Sequence, residues 1–240
     1  MPPTSLIPAH LPLTLTGTDI AALLLLAAAW FGLARVIEKP PAGRPSVSVL
    51  MKRYRREWMA EFLHRDPRIF DGNILASLRE GTSFYASACM IAIGGGLALI
   101  GNTDPLAGIA RELDAGEIPA LLWKVKILLV LGFLANAFLK FVWSHRLFGY
   151  CAIIMAAVPN DPTMPGAVPR AMAAADVNIH AARNFNIGLR AVYFALGALG
   201  WLAGPWGLMT GTAIVTGLTL RREFASGSRQ ALLNELEQER

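Results

Sequence analysis

The sequence predicts an all-α fold: a polytopic membrane helix bundle with about five transmembrane helices, one amphipathic interfacial helix, and helices that extend into the cytoplasm. Two long stretches carry this prediction, because residues 81–103 and residues 191–220 contain no charged side chain. Charged residues make up only 16% of the chain, against roughly 25% in soluble domains. A buried helix of a soluble protein keeps a wet face and seldom runs about 18 residues without a charge. Lipid is therefore the expected surroundings of these stretches.

The chain divides into three predicted parts. Residues 1–18 are Pro-rich and uncharged, and we expect a disordered N-terminus outside the cell; residues 19–224 form the membrane domain and residues 225–240 a polar cytoplasmic tail. The predicted spans are about 19–37, 82–101, 121–143, 187–203 and 206–220. The first apolar run has no Lys or Arg before it, unlike a signal peptide, so it is expected to remain as a span.

Two of the predicted helices are longer than a bilayer requires. One helix is expected from Pro67 to about Ile100, because Asp66-Pro67 is a helix start and no breaker follows until the glycines of the second span. A second is expected from Pro119 to Val158. At about 1.5 Å per residue these helices are ~50 and ~60 Å long, against ~30 Å of hydrocarbon. Their excess length is expected to form a short bundle in the cytoplasm. Residues 102–117 form an acidic loop at the opposite end.

The final uncharged stretch determines the number of spans. As a single helix, its 30 residues would extend ~45 Å, half again the hydrocarbon thickness. Gly204-Pro205 lies near its middle and is a strong turn signal. Splitting the stretch there leaves 17 Lys and Arg residues in predicted cytoplasmic segments and only Arg111 outside. This bias matches the positive-inside rule and favours an external N-terminus and a cytoplasmic C-terminus.

Residues 46–64 form the clearest amphipathic segment. The apolar or aromatic residues Val47, Met51, Tyr54, Trp58 and Phe62 recur at steps of three and four, so they share one helix face. The remaining faces carry a basic set, namely Lys52, Arg53, Arg55 and Arg56. This pattern favours a helix in the headgroup layer of an anionic membrane, either as a plain anchor or as a lipid or partner site.

Several polar residues are expected to meet where the spans reach the cytoplasmic boundary. This candidate polar cluster comprises Arg79, Glu80, Tyr85, Lys140, Asn186, Arg190 and Tyr193. Ionisable groups at this depth are costly unless paired, which favours Glu80 beside Lys140 or Arg190. One hypothesis is a cationic pocket for an anionic solute or lipid headgroup; the other is pairing that sets helix register. Near the other boundary, Lys124 and Lys126 are expected to extend to the interface.

The sequence indicates neither a metal centre nor a cofactor. Cys89 and Cys151 lie 62 positions apart without a CxxC pattern, and both are expected to be small buried side chains. A haem held by His145 and His180 is the one alternative, and it would need both rings at the same level. Nucleophile elbows, Walker A loops and dinucleotide fingerprints are absent from the sequence, so we expect no enzyme.

Five short motifs follow one another along the chain: the basic segment 51–56, residues 77–87 (SLREGTSFYAS), residues 140–151 (KFVWSHRLFGYC), residues 185–194 (FNIGLRAVYF) and the closing 221–224 (RREF). Together they resemble the pattern of the DUF599 family of uncharacterised membrane proteins. Residues 77–87 are similar to the start of that family's second span, and residues 140–151 to the end of its third. His145 and Gly149 depart from the family's pattern. The resemblance implies a multi-pass membrane protein and carries over no catalytic residue.

Two classes of function remain open at the level of sequence. The first is a structural or accessory subunit of the cell (inner) membrane, with anionic lipid headgroups as partners and assembly as a homo-oligomer or larger membrane complex. The second is a small-solute (anion) transporter or channel that uses the cationic cluster. Transporters usually show inverted repeats or broken helices at mid-membrane, and neither is visible here, which favours the first class. Nucleic acid is not expected as a partner, because the Lys and Arg residues flank the spans and do not line an aromatic groove.

Overall fold

The computed structural model describes residues 15–41, 43–101 and 119–238, and the regular structure of these residues is helical. The helices are α1 (Gly17–Glu38), α2 (Val47–Phe62), α3 (Ile69–Gly101), α4 (Ala120–Ala156), α5 (Ala167–Leu199), α6 (Pro205–Phe224) and α7 (Gly227–Gln238), with a 3₁₀ turn at Gly200–Ala203. The membrane helix bundle is thereby confirmed. The predicted acidic loop and most of the predicted N-terminal segment lie outside the described residues.

Among the residues that the structure describes, four helices are long and apolar enough to cross a membrane: α1, α3, α4, and α5 with its 3₁₀ turn. Helix α6 is not among them. Its 20 residues would extend ~30 Å, but they include Arg221, Arg222 and Glu223, so the uncharged part, residues 205–220, is only ~24 Å long against ~30 Å of hydrocarbon. Four threonines, Thr210, Thr212, Thr216 and Thr219, lower its apolar character further. The fifth span therefore stays a prediction.

The predicted turn at Gly204-Pro205 is present, and α6 folds back along α5. Gly204 adopts φ +97°, a left-handed conformation that favours glycine. Below the turn, Gly200 faces Gly207 and Gly197 faces Gly211, so closely that a Cβ on Gly207 would overlap the Gly200 carbonyl oxygen. Backbone contact of this kind is what small residues permit between membrane helices. For these four glycines, the close-packed partner belongs to the same chain.

Helices α4 and α5 form the most extensive helix pair, and the other helices surround them. Gly188 on α5 permits this approach, since a Cβ there would lie 2.7 Å from Cε1 of Phe141 on α4. Helix α3 packs on α4, while α1 packs mainly on α6. The N-terminal half of α5 contacts α2.

One end of the bundle carries most of the basic residues, and we call it the basic end. Here α1 and α4 end, α3 and α5 begin, and α2 packs across them around a common apolar core. The largest fully buried members of that core are Met59 and Phe148, with Phe62 nearly as buried. Long α3 and α4 helices thus contribute to a bundle beyond the apolar spans, as predicted. Helix α3 begins at Ile69, two residues after the predicted Pro67.

Lys126 differs from its predicted placement at the opposite end. It is 2% exposed and lies over the rings of Trp123 and Trp201, at 5.1 and 5.8 Å from their centroids. Trp201 Nε1 also donates a 2.8 Å hydrogen bond to Asp19. The lysine therefore packs between aromatic rings instead of extending to the interface. Lys124 remains exposed.

The predicted polar tail is largely helical. Residues 227–238 form α7, which turns back toward α2. Arg229 Nε donates a 2.9 Å hydrogen bond to the carbonyl oxygen of Pro45, and the Tyr54 hydroxyl donates to Glu235. These contacts hold the C-terminal helix at the basic end.

Candidate functional site

The predicted polar cluster separates into three groups at the basic end. Arg79 lies between α3 and α4, where its Nη2 is 3.4 Å from Nε2 of His145. Nearby, Tyr85 stacks on Phe141 at a centroid distance of 5.3 Å. On the far side of α5, the Tyr193 hydroxyl accepts a hydrogen bond from Arg222. The third group, Lys140, Asn186 and Arg190, lines two cavities beside α1.

Arg190 is paired with a residue other than the predicted one. Its Nη2 lies 3.6 Å from Oε1 of Glu38 on α1, while Glu80 is exposed and pairs with no described residue. The pairing of Glu80 with Arg190 or Lys140 is therefore wrong. Glu38 also accepts a 3.1 Å hydrogen bond from Nε of Arg183. A single carboxylate thus serves two arginines of α5.

The environment of Arg190 is nearly closed to solvent. The residue is 5% exposed, and its guanidinium carbon lies 5.5 Å from the ring centroid of Trp30. Its buried Nε has no hydrogen-bond partner among the described residues. A buried donor without a partner carries a desolvation cost of about 1–3 kcal/mol. Arg190 therefore retains an unused donor at the junction of the two cavities.

The first cavity is an apolar groove of about 690 Å³ between α1 and α4. Its walls are formed mainly by Leu23, Leu26, Trp30, Leu128, Leu129 and Phe133. Gly132 leaves the α4 side open, because nothing lies within 4 Å of a Cβ built there. The groove ends at Glu38, Lys140 and Arg190, so its charged groups are confined to one end.

The second cavity is a cleft of about 280 Å³ bounded by α2, α5 and the ends of α1 and α6, and its lining combines apolar side chains with charged ones. Four cationic side chains line it, namely Lys52, Arg55, Arg183 and Arg190, together with the carboxylates of Glu38 and Glu223. Ser48 donates to Glu223 through its backbone N–H at 3.0 Å and its hydroxyl at 2.8 Å. Asn186 Nδ2 lies 3.3 Å from the same hydroxyl. Two positive charges remain unmatched within the cleft.

The basic set on α2 does not share one environment. Arg55 donates to Asn178 of α5, and burial lowers the pKa of the Arg55 guanidinium from its ordinary value. Arg56 pairs with Asp176 of α5 at 3.2 Å, and Arg53 pairs with Glu57 on the same helix. Only Lys52 combines a place in the cleft with no hydrogen bond or ion pair to a described residue. Arg55 thus faces protein where the sequence led us to expect lipid, whereas Arg56 stays exposed beside Asp176.

Sequence reasoning missed the acidic half of the site. Glu38 directly follows the predicted first span, residues 19–37, and Glu223 lies within the closing motif 221–224, but neither position signals a charged partner. Both meet their partners across more than a hundred residues of chain, and no helical period signals such a contact. The two histidines of the haem alternative have different surroundings. His145 contacts Arg79 and Thr82 of α3, whereas His180 is exposed on α5.

Comparison with known proteins gives one result. A family model described as "Protein of unknown function, DUF599" matches residues 21–228, most of the chain. No curated protein and no solved structure matches. The matched range includes every residue of the groove and the cleft.

Proposed function

The chain belongs to the DUF599 family of proteins of unknown function, and from that premise we propose that it is an accessory membrane protein that binds a lipid in the groove between α1 and α4. The single observation that carries this proposal is the shape and polarity of the groove. Its walls are apolar as far as Asn136, one helical turn before Lys140, and its charged groups lie at one end only. A lipid has the same division between chain and headgroup.

The groove has the dimensions of an acyl chain. From Leu23 to Glu38 it follows 15 residues of α1, or ~22 Å at the helical rise. Its charged end carries Lys140 and Arg190 against one carboxylate, Glu38. An anionic headgroup complements this end. An acyl chain bound in the groove would keep dispersion contacts with the groove walls that the mobile lipids around the protein do not keep.

The proposal places the basic end on the cytoplasmic side of the cell membrane, with five spans. Lys and Arg favour the cytoplasmic flank, and the cytoplasmic leaflet is rich in anionic lipid. The headgroup site would then face the leaflet that supplies its ligand. In this accessory role the protein would assemble with a second copy of itself or with another membrane protein.

Anion transport is the second candidate, because the groove and the cleft share Arg190. An aromatic cluster argues against it. Trp30 packs edge-on against Phe133 and Phe194 at centroid distances of 5.3 and 5.1 Å, on the membrane side of Arg190. Helix α5 is unbroken at this level. A path for an anion would require these three rings to separate.

The test fills the groove without touching its charges. Gly132→Trp places a large ring in the groove, whereas Gly94→Trp places the same ring on the exposed face of α3, where nothing lies within 4 Å of a Cβ. Both variants would be purified in a gentle detergent and examined by native mass spectrometry. We expect a retained lipid in the unmodified protein and in Gly94→Trp, and its loss in Gly132→Trp.

The proposal fails if Gly132→Trp retains lipid as the unmodified protein does. Anion flux measured in proteoliposomes distinguishes the second candidate. Uptake by the unmodified protein that disappears in Arg190→Gln would favour transport. Equal thermal stability of the two tryptophan variants provides the folding control.

A further inference from the structure

The groove and the cleft meet at a shared wall. Both cavities are lined by Glu38, Ile187 and Arg190, so a molecule in the groove reaches the cleft by passing Arg190. This residue is 5% exposed, and its buried Nε has no partner in the part of the chain that the structure describes. Its one ion pair, to Glu38, is 3.6 Å long. The side chain therefore still has donors to offer to a ligand at the junction.

A phosphate group suits these donors. A guanidinium presents its N–H groups in a planar fork that matches two oxygens of a phosphate, and such bonds are stronger than neutral ones. Glu38 need not lose its own pairing when phosphate binds. It keeps the hydrogen bond from Arg183, so the shared carboxylate allows Arg190 to turn toward a ligand.

The cleft has room and charge for a second anionic group. Its volume of about 280 Å³ corresponds to roughly nine waters at ~30 Å³ each. Two of its four cations are unmatched by carboxylates. Lys52 is the cation without a described partner. Ser48 and Asn186 add a hydroxyl and an amide suited to hydroxyl-bearing headgroups.

We propose that the two cavities form one site for a phospholipid whose headgroup carries two negative charges. One acyl chain lies in the groove, a phosphate binds Arg190 at the junction, and the second charge lies in the cleft near Lys52. The inference rests on the proposed lipid-binding function and adds its ligand class. Charge complementarity selects a dianionic headgroup, since the cleft holds two unmatched positive charges.

Free phosphate compounds share the chemistry of this headgroup, so the experiment includes both sources. Delipidated protein in neutral detergent would be titrated with four probes: cardiolipin with two phosphates, phosphatidylglycerol with one negative charge, zwitterionic phosphatidylcholine, and inorganic pyrophosphate without a chain. We expect cardiolipin to bind about tenfold more tightly than phosphatidylglycerol. Phosphatidylcholine and pyrophosphate should bind weakly.

Three variants assign the roles. Arg190→Gln should weaken both anionic lipids by about tenfold, and Arg190→Lys, which retains the charge, should weaken them less and guards against misfolding. Lys52→Gln should remove the preference for cardiolipin and leave phosphatidylglycerol binding unchanged. Lys39→Gln is the matched control, because Lys39 is exposed at the same end and lines neither cavity.

The outcomes separate this inference from the proposed function. If Arg190→Gln and Arg190→Lys both bind the anionic lipids as the unmodified protein does, the junction is not a phosphate site, and the groove still stands if Gly132→Trp loses lipid. Equal affinity for cardiolipin and phosphatidylglycerol overturns the dianionic assignment. Pyrophosphate binding as tight as that of cardiolipin overturns the lipid as the source of the anionic group, whereas the proposed function fails separately, if Gly132→Trp retains lipid.

Discussion

Glu223 at the end of α6 accepts two hydrogen bonds from Ser48 in the first turn of α2, one from the backbone N–H at 3.0 Å and one from the hydroxyl at 2.8 Å. Helix α5 begins at the basic end and α6 ends there, so the two antiparallel helices bring the C-terminal end of α6 beside α2. A carboxylate at a helix N-terminus also interacts favourably with the helix dipole. One side chain thus fixes both the return of α6 and the position of α2.

Replacing Glu223 should therefore loosen the basic end. Glu223→Gln removes the charge from two hydrogen bonds, and bonds to charged groups contribute about 1.5–3 kcal/mol each. We expect a loss of about 1–3 kcal/mol in the free energy of unfolding, measured by denaturant titration in detergent micelles. Glu237→Gln on exposed α7 is the control and should leave stability unchanged. A Glu223 variant as stable as this control would show that the contact contributes nothing.

The glycine pairs of the α5–α6 hairpin lead to a second prediction. Gly207→Ala places a methyl group against the Gly200 carbonyl, where only backbone movement can make room. The helices should separate, with a clear loss of stability. Gly217→Ala is the matched control on the same helix, since nothing lies within 4 Å of its Cβ; alanine favours helix there by about 0.5–1 kcal/mol. Similar unfolding curves for the two variants would contradict the close packing.

The apolar spans could be predicted because a bilayer imposes a simple condition on a sequence. Backbone polar groups must be satisfied within a helix, and side chains must avoid charge over about 20 residues. The same condition predicts the turn at Gly204-Pro205, because the uncharged stretch 191–220 is too long for a single helix across the bilayer. Helix ends were less exact, as with Ile69, because local caps compete with tertiary contacts.

The charged contacts could not be predicted, because each depends on a distant segment. Arg55 was expected on a face turned to lipid, but α2 packs on the small residues of α5, including the fully buried Ala174 and Ala175. Arg55 consequently meets Asn178. Lys126 lies beneath Trp201, which is 75 residues further along the chain. A helical period identifies an apolar face and does not identify its neighbour.

Tyr54 provides a prediction about pH. Its hydrogen bond to Glu235 of α7 raises the pKa of Tyr54 from 10.0 to about 12. A raised folded-state pKa means that the contribution to docking of α7 is fully present below pH 10 and is lost as the pH rises through 12. Ultraviolet absorbance titration in detergent should show one tyrosine that ionises at a higher pH than an ordinary tyrosine, and Tyr54→Phe should remove that step. If the late step persists in Tyr54→Phe, it belongs to another tyrosine and the Glu235 contact is not the cause.

The number of spans and their orientation can be measured by single-cysteine labelling. Cys89 and Cys151 are both buried, so a background with alanine at both positions is the starting protein. Trp206→Cys lies after the α5–α6 turn and is exposed, whereas Lys39→Cys and Ser228→Cys lie at the basic end. A membrane-impermeant maleimide added to intact cells should label Trp206→Cys alone, and all three after lysis. Labelling of Ser228→Cys in intact cells would contradict the fifth span, because α6 would then end on the outer side, and labelling of Lys39→Cys would reverse the orientation.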